Sequence, residues 1–213
     1  MVKIILLLII LILFLIYIYY ISKNNKEHFT SNKNNLENKL IIVTGSTRGI
    51  GYELAKKLNK MGAKVVIHGR KQETVDKILR DFEKTNPYVA GYAADLTDEK
   101  QVETFVKKVT NKNPKIYALI NNAVSITGNR RLSEKSHIDF KKDLDVNVNS
   151  LMLITNKVIN QMKNNYSKGR IINVSSYHSK LNNSNFNNGT LMFNKNIIEK
   201  FSKILVEETS RHD

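Results

Sequence analysis

The chain has 213 residues, enough for one domain with a buried core plus a short appendage. It contains no cysteine, which excludes disulfides, thiolate metal sites and cysteine nucleophiles. The 34 Lys and Arg against 19 Asp and Glu give a net charge of +15. Such a balance suits nucleic acid or an anionic membrane surface. The lysines, however, are scattered among asparagines, as in Asn24-Asn25-Lys26 and Asn32-Lys33-Asn34-Asn35. No aromatic-interleaved basic face or nucleic-acid motif accompanies them. The charge reads as solvated surface, and nucleic acid is not an expected partner.

Residues Ile4 to Ile21 are uninterruptedly apolar, with tyrosines at 17, 19 and 20. A run of about 18 residues approaches the roughly 20 that span a bilayer as a helix, and the tyrosines suit the headgroup region. Tyr19-Tyr20-Ile21-Ser22-Lys23 offers no small-residue cleavage site, so a retained anchor over 1–22 is expected rather than a signal peptide. Lys23, Lys26, Lys33 and Lys39 outnumber Lys3 across the run and place the globular part in the cytosol. Residues 23–38 form a polar, Lys/Asn-rich linker poor in acids. That composition keeps one alternative open, an organellar lumen reached after signal and transit processing.

From residue 39 to 213 the pattern alternates. Leu40-Ile41-Ile42-Val43 predicts a buried strand, and Ile50, Leu54, Leu58 and Met61 a helix ended by Gly62. Lys64 to Ile67 predicts a second strand, and Val75, Ile78, Leu79 and Phe82 a helix that stops before Pro87. Tyr88 to Ala93 follows as a third strand, then a helix marked by Val102, Phe105, Val106 and Val109. Ile116 to Ile120 gives a fourth strand. One long helical stripe runs from Leu144 through Val148, Leu151, Met152, Val158 and Ile159 to Met162. Ile171, Ile172 and Val174 give a fifth strand. Ile197, Ile198, Phe201, Ile204 and Leu205 give a last helix. Asn182 to Asn188 is of low complexity. The alternation predicts an α/β fold of the doubly wound, Rossmann type: a parallel sheet with helices on both faces.

Between the first strand and its helix lies Thr44-Gly45-Ser46-Thr47-Arg48-Gly49-Ile50-Gly51. Glycines there let a phosphate-bearing ligand approach the backbone, and the helix N-terminus offers free N–H groups and partial positive charge. The second strand ends in His68-Gly69-Arg70. A carboxylate at that point would bind the ribose hydroxyls of NAD and repel a 2′-phosphate. Arg70 and Arg48 instead favour NADP(H).

Thr-Gly-x-x-x-Gly-x-Gly resembles the glycine motif of the short-chain dehydrogenase/reductase family, and further segments match in order. Asp95-Leu96 resembles its adenine-contacting pair, and Asn121-Asn122-Ala123 its Asn-Asn-Ala-Gly segment. Asn147 is similar to the active-site asparagine, and Asn173-Val174-Ser175-Ser176 to the serine segment. The resemblance implies a cofactor site of Thr44, Gly45, Ser46, Arg48, Gly49, Ile50, Gly51, Arg70, Asp95, Leu96, Asn121, Ala123 and Lys195. It implies catalytic roles for Ser176, Asn147 and Lys195, and no metal.

Three departures accompany it. In the family a tyrosine four residues before the lysine transfers the proton. The segment from Lys195 to Leu205 resembles the helix that starts at that lysine, and residue 191 is leucine. Leucine carries no proton. Tyr177-His178-Ser179-Lys180 mimics the motif, but its lysine stands three residues on, in the loop before the helix. Val124 stands where the family has glycine beside the nicotinamide. Third, family members continue beyond the equivalent of Asp213 with a strand, a substrate loop and another strand. Without them the fifth strand is expected to be an apolar sheet edge needing cover. The resemblance implies an oxidoreductase acting on a small carbonyl or alcohol, lipid-like if the tether sets the substrate, with a homodimer as a further expectation. The alternative is a non-catalytic nucleotide-binding or interaction protein, a pseudoenzyme or a truncated product, on the same fold.

Overall fold

The four apolar residues Leu40–Val43 form β1, and all four are buried. A strand buried on both faces belongs in the middle of a parallel sheet, and β1 lies at the centre of five strands. The computed structural model describes residues 36–86, 89–112, 115–128, 131–165, 168–177 and 189–209. The expected anchor, most of the linker, Tyr88, His178, Lys180 and the Asn-rich stretch lie outside them. No helix of the described residues is long and apolar enough to cross a membrane.

In chain order β1 is followed by α1 (Gly49–Lys60), β2 (Lys64–Gly69), α2 (Gln72–Glu83), β3 (Val89–Ala93) and α3 (Glu99–Lys112). Then come β4 (Ala118–Asn121), α4 (His137–Leu144), α5 (Ser150–Asn164), β5 (Arg170–Asn173) and α6 (Gly189–Thr209). The strands lie in the order β3-β2-β1-β4-β5, every pair parallel. Alternate side chains feed two cores. Leu40, Ile42, Val66 and Leu119 pack against Phe105, Val106, Ile154 and Val158 of α3 and α5. Ile41, Val43, Val65, Ile67 and Ile120 pack against Ala55, Val75 and Phe82 of α1 and α2. Helices thus cover both faces, as the alternation predicts.

Several readings shift. Ile50, expected in the apolar stripe of α1, is 74% exposed, whereas Gly51, Ala55 and Asn59 are buried. Small side chains let that helix sit close to the sheet, so the seam falls one position along from the large apolar residues. The single long helix predicted around residues 144–162 is two helices joined by a wide turn of π-helical geometry, Asp145–Asn149. Such a turn inserts an extra residue per turn, so one stripe cannot run through it: Met152 is exposed and Thr155 buried. Among the described residues β5 is one of the two sheet edges, as expected, with Ile172 46% exposed.

Phe105 touches the rings of His68 and Tyr92 and is fully buried. Phe105→Ala should lower unfolding free energy by about 3–5 kcal/mol, and Ile138→Ala, at an exposed site, by about 0.5 kcal/mol or less. Urea denaturation of the two variants measures the difference.

Candidate functional site

The turn after β1 is built from the backbone outward. Gly45 and Gly49 adopt positive φ, +64° and +56°, where side chains are strained. A Cβ on Gly45 would stand 2.9 Å from Ala123 Cα, and one on Gly51 would meet the Gly45 carbonyl at 2.4 Å. Around Gly49 nothing lies within 4 Å of such a Cβ. Gly45 and Gly51 close the turn against the segment after β4 and the start of α1, and Gly49 leaves its outer side open. Arg48 precedes α1, and no side chain caps the helix. Its first N–H groups have no capping acceptor, which is the geometry an anion requires.

Side chains around the turn hold it in place. Thr44 Oγ1 accepts from the N–H groups of Asn122 and Ala123 at 3.0 and 3.1 Å. Asn122 Nδ2 donates to the carbonyls of Thr44 and Gly45 at 2.9 and 3.3 Å. The buried Ser46 Oγ donates to the Val43 carbonyl at 2.7 Å and accepts from His68 N–H at 2.9 Å. The Gly45 N–H donates to His68 Nδ1 at 3.0 Å. Nδ1 is therefore unprotonated, and Nε2 carries the hydrogen it donates to the Ala94 carbonyl at 3.2 Å. Burial holds this imidazole neutral and pushes its pKa down from 6.5 to about 4.

β2 delivers Arg70 to the same end of the sheet. Gly69 packs against Thr47, leaving no room for a Cβ, so the strand end abuts the glycine turn. Arg70 and Arg48 are exposed, and among the described residues no carboxylate pairs with either. Beyond β3, Asp95 Oδ1 accepts from the N–H and hydroxyl of Thr97 at 2.9 and 2.8 Å. The Leu96 side chain is buried in the core, which leaves its backbone for contact with a ligand.

On the other side, Asn121 lies below the surface. Its Nδ2 donates to Thr155 Oγ1 and Asn173 Oδ1 at 2.9 and 2.8 Å, binding β4, β5 and α5 together. Asn147, in the wide turn, is 1% exposed and clamps the Ser125 backbone: its Oδ1 accepts from Ser125 N–H at 2.7 Å and its Nδ2 donates to Ser125 O at 2.8 Å. Asp143 accepts from Ser125 Oγ, Thr127 N–H and the buried Lys135 ammonium. Together they fix the course of the loop after β4. Val124, at its start, is 49% exposed.

From α6, Lys195 Nζ donates to the Val174 carbonyl where β5 gives way to the serine segment. The lysine is buried, and desolvation lowers its pKa. Leu191, one turn before it, is buried as well. Ser176 follows Val174 by two residues and is half-buried, while Tyr177 is 73% exposed. Candidate cofactor and catalytic residues thus meet at the carboxyl ends of the strands, where ligands bind in open α/β sheets. Three contributors were not predicted: His68, Asp143 and the supporting role of Asn122. A histidine directly after the apolar run Val65–Ile67, still within the buried strand, was the available signal for the first.

A family model described as short chain dehydrogenase matches residues 39–211. The chain belongs to the short-chain dehydrogenase/reductase family. Its family relatives include the 2-dehydro-3-deoxy-D-gluconate 5-dehydrogenase of Formosa agariphila, 32% identical over 68% of this chain and 55% of that protein. The 3alpha-hydroxysteroid dehydrogenase of Mediterraneibacter gnavus is 34% identical over 66% of this chain and 56% of that protein. The chain spans about half the length of these curated relatives. Among solved structures, the gluconate 5-dehydrogenase of Burkholderia cenocepacia in complex with NADP and tartrate aligns with a TM-score of 0.75. It is 25% identical, and the alignment covers 84% of this chain and 69% of that one. A metagenomic short-chain oxidoreductase in complex with NADP shares the fold, with a TM-score of 0.76 at 24% identity over 83% of this chain and 78% of that one.

Because His68 is neutral in the fold and titrates at its ordinary 6.5 when unfolded, the unfolded chain binds the extra proton between pH 6.5 and 4. The stability His68 contributes is complete above 6.5 and falls away as pH drops toward 4, a loss of roughly 3 kcal/mol. His68→Asn keeps an acceptor for Gly45 N–H but does not titrate. Urea unfolding across this range should show a flatter pH dependence for the variant; parallel curves would refute the assignment.

Proposed function

We propose that the chain is an NAD(P)-dependent oxidoreductase by descent that binds NADP(H) in preference to NAD(H) and turns over its carbonyl or alcohol substrate weakly or not at all. The observation that carries the cofactor reading is the uncapped start of α1 behind an open Gly49, flanked by the exposed Arg48 and Arg70. Gly45, Ser46, Gly49, Ile50 and Gly51 would hold the pyrophosphate, and Arg48 and Arg70 the additional phosphate. Asp95 and Leu96 would border the adenine, and Ala123 and Lys195 the nicotinamide ribose. Thr44 and Asn121 would act by holding the strand ends in place. Two relatives of known structure carry NADP in their crystals, which supports the choice of nucleotide. Bound there, the nicotinamide would exchange a hydride with the substrate carbon.

What the chain's own residues offer that exchange is incomplete. Ser176 would polarise the carbonyl, Asn147 would hold the loop beside it, and Lys195 would orient the ribose. The proton needs an acid, and residue 191, one turn from Lys195, is an apolar side chain. A positioned acid is worth roughly 10²–10⁴-fold in rate. This favours the second reading, a nucleotide-binding protein on an enzyme fold, for the chain as it stands. Attachment to a membrane through Ile4–Ile21, with the domain in the cytosol, completes the proposal and would suit an apolar substrate.

Titration with both nucleotides should show tighter binding of NADPH, and Arg70→Ala should weaken NADPH about tenfold while leaving NADH nearly unchanged. Equal affinities in the parent chain would end the preference. Leu191→Tyr should raise carbonyl reduction toward the 10²–10⁴-fold that a positioned acid supplies, with NADPH affinity barely moved. Robust turnover by the parent chain would refute the impairment.

A further inference from the structure

A subset of the lysines that look scattered in the sequence gathers at one end of the fold. In a parallel sheet with returning helices, strand starts and helix ends share a side, opposite the glycine turn. Four adjacent strands begin there in a hydrogen-bonded row. Lys64 N–H donates to the Lys39 carbonyl at 2.9 Å, Tyr117 N–H to Leu40 O at 2.9 Å, and Arg170 N–H to Tyr117 O at 3.0 Å. Lys39 and Arg170 each sit over the Tyr117 ring at 5.2 Å, which holds two cations in register across β1, β4 and β5. Lys115 and Lys168 precede β4 and β5, and both are exposed. The returning helices add Lys57 and Lys60 from α1, Lys112 from α3 and Lys163 from α5, all in last turns.

Acids are few at this end. Asp81 is paired with Lys84, Glu37 and Glu83 are exposed, and Glu207 and Glu208 lie at the far end of α6. Among the described residues no carboxylate pairs with Lys39, Lys57, Lys60, Lys115, Lys168 or Arg170. The opposite end is mixed, with Glu73, Asp95, Asp98 and Glu99 beside Arg48, Arg70 and Lys71. Cations near helix C-termini complement the helix dipole, which accounts for the helical lysines singly. It does not account for the row at the strand starts.

We propose that this cationic end is a docking face for an anionic lipid surface. The four strand starts span about 15 Å at ordinary strand spacing, a broad face that presents no exposed aromatic for base stacking among its described residues. The chain enters the domain at Leu36, beside Lys39, so the polypeptide bearing the apolar run Ile4–Ile21 joins the fold at this end. Basic residues near a bilayer are attracted to acidic headgroups within a screening length. Docked this way, the domain keeps its glycine turn pointing away from the lipid.

The chain lacks cysteine, so single substitutions report one end each. Full-length protein carries a fluorophore at Asn111→Cys, on the cationic end, or at Thr74→Cys, on the opposite one. It is mixed with vesicles of phosphatidylcholine alone or with phosphatidylserine, each containing a quencher-headgroup lipid. The label at 111 should lose at least about half its fluorescence with the anionic vesicles only, and recover it near 1 M salt, where the screening length is about 3 Å. The label at 74 should not respond. Lys115→Glu, Lys168→Glu and Arg170→Glu together should abolish the response with circular dichroism unchanged; should that variant misfold, the lipid and salt comparison on the parent decides alone. Equal quenching in both lipids, or at both labels, overturns the proposal. So does a DNA duplex that binds the lipid-free chain through the same three residues. Sedimentation with neutral vesicles reads insertion of the apolar run separately.

Discussion

The Gly45 N–H donates to His68 Nδ1, and only a neutral imidazole can receive it. That bond ties the turn after β1 to the end of β2, and the second ring nitrogen ties β2 to the residue that follows β3. Phe105 of α3 packs on the ring from below. A charged histidine would turn its acceptor into a donor facing another donor, with the charge in the core, a doubly unfavourable arrangement. Burial prevents this and so keeps three strand ends level, which is what brings Arg48, Arg70 and Asp95 to one rim.

The other half of the rim is held by charge. Asp143 and Lys135 are almost wholly buried as a pair, and the carboxylate also accepts from Ser125 and Thr127. A buried ion pair carries a large desolvation cost and is tolerated where additional hydrogen bonds saturate it. Here those bonds run to the loop after β4, and Asn147 grips the same loop from the wide turn. Lys195 differs. Its partner among the described residues is a carbonyl, so desolvation of the ammonium is not offset by a carboxylate, consistent with a depressed pKa. Among the described residues the wholly buried amide of Asn194 beside it meets no partner on either atom, and neither does Thr190 Oγ1. Three of the four unsatisfied buried side-chain atoms among the described residues thus sit at the start of α6.

Much of this was legible in the sequence because periodicity reports burial. β1, β2, α2 and α3 fall where their apolar spacing puts them, and the glycine turn stands between a strand and a helix as its motif requires. What was not legible depends on contacts between distant residues. Ile50 looks apolar in a list but is exposed, because Gly51 and Ala55 set how close α1 approaches. The wide turn at Asp145–Asn149 leaves no mark in hydrophobic spacing except that the stripe loses phase at Met152. The basic end is invisible along the chain, since its members are up to 131 residues apart, Lys39 to Arg170, and only topology gathers them.

The pairing of β4 with β1 has a consequence for the order of assembly. β1, β2 and β3 are consecutive and can pair as the chain leaves the ribosome, whereas Thr44 waits for Asn122, 78 residues later, to close the turn. Long separations delay contact because loop closure must come first. The nascent first half therefore has its glycine turn before it has the strand that braces it. A nucleotide that binds only the braced turn would draw the chain toward completion by mass action. On this view a bound ligand would act as a folding partner as well as an occupant of the site.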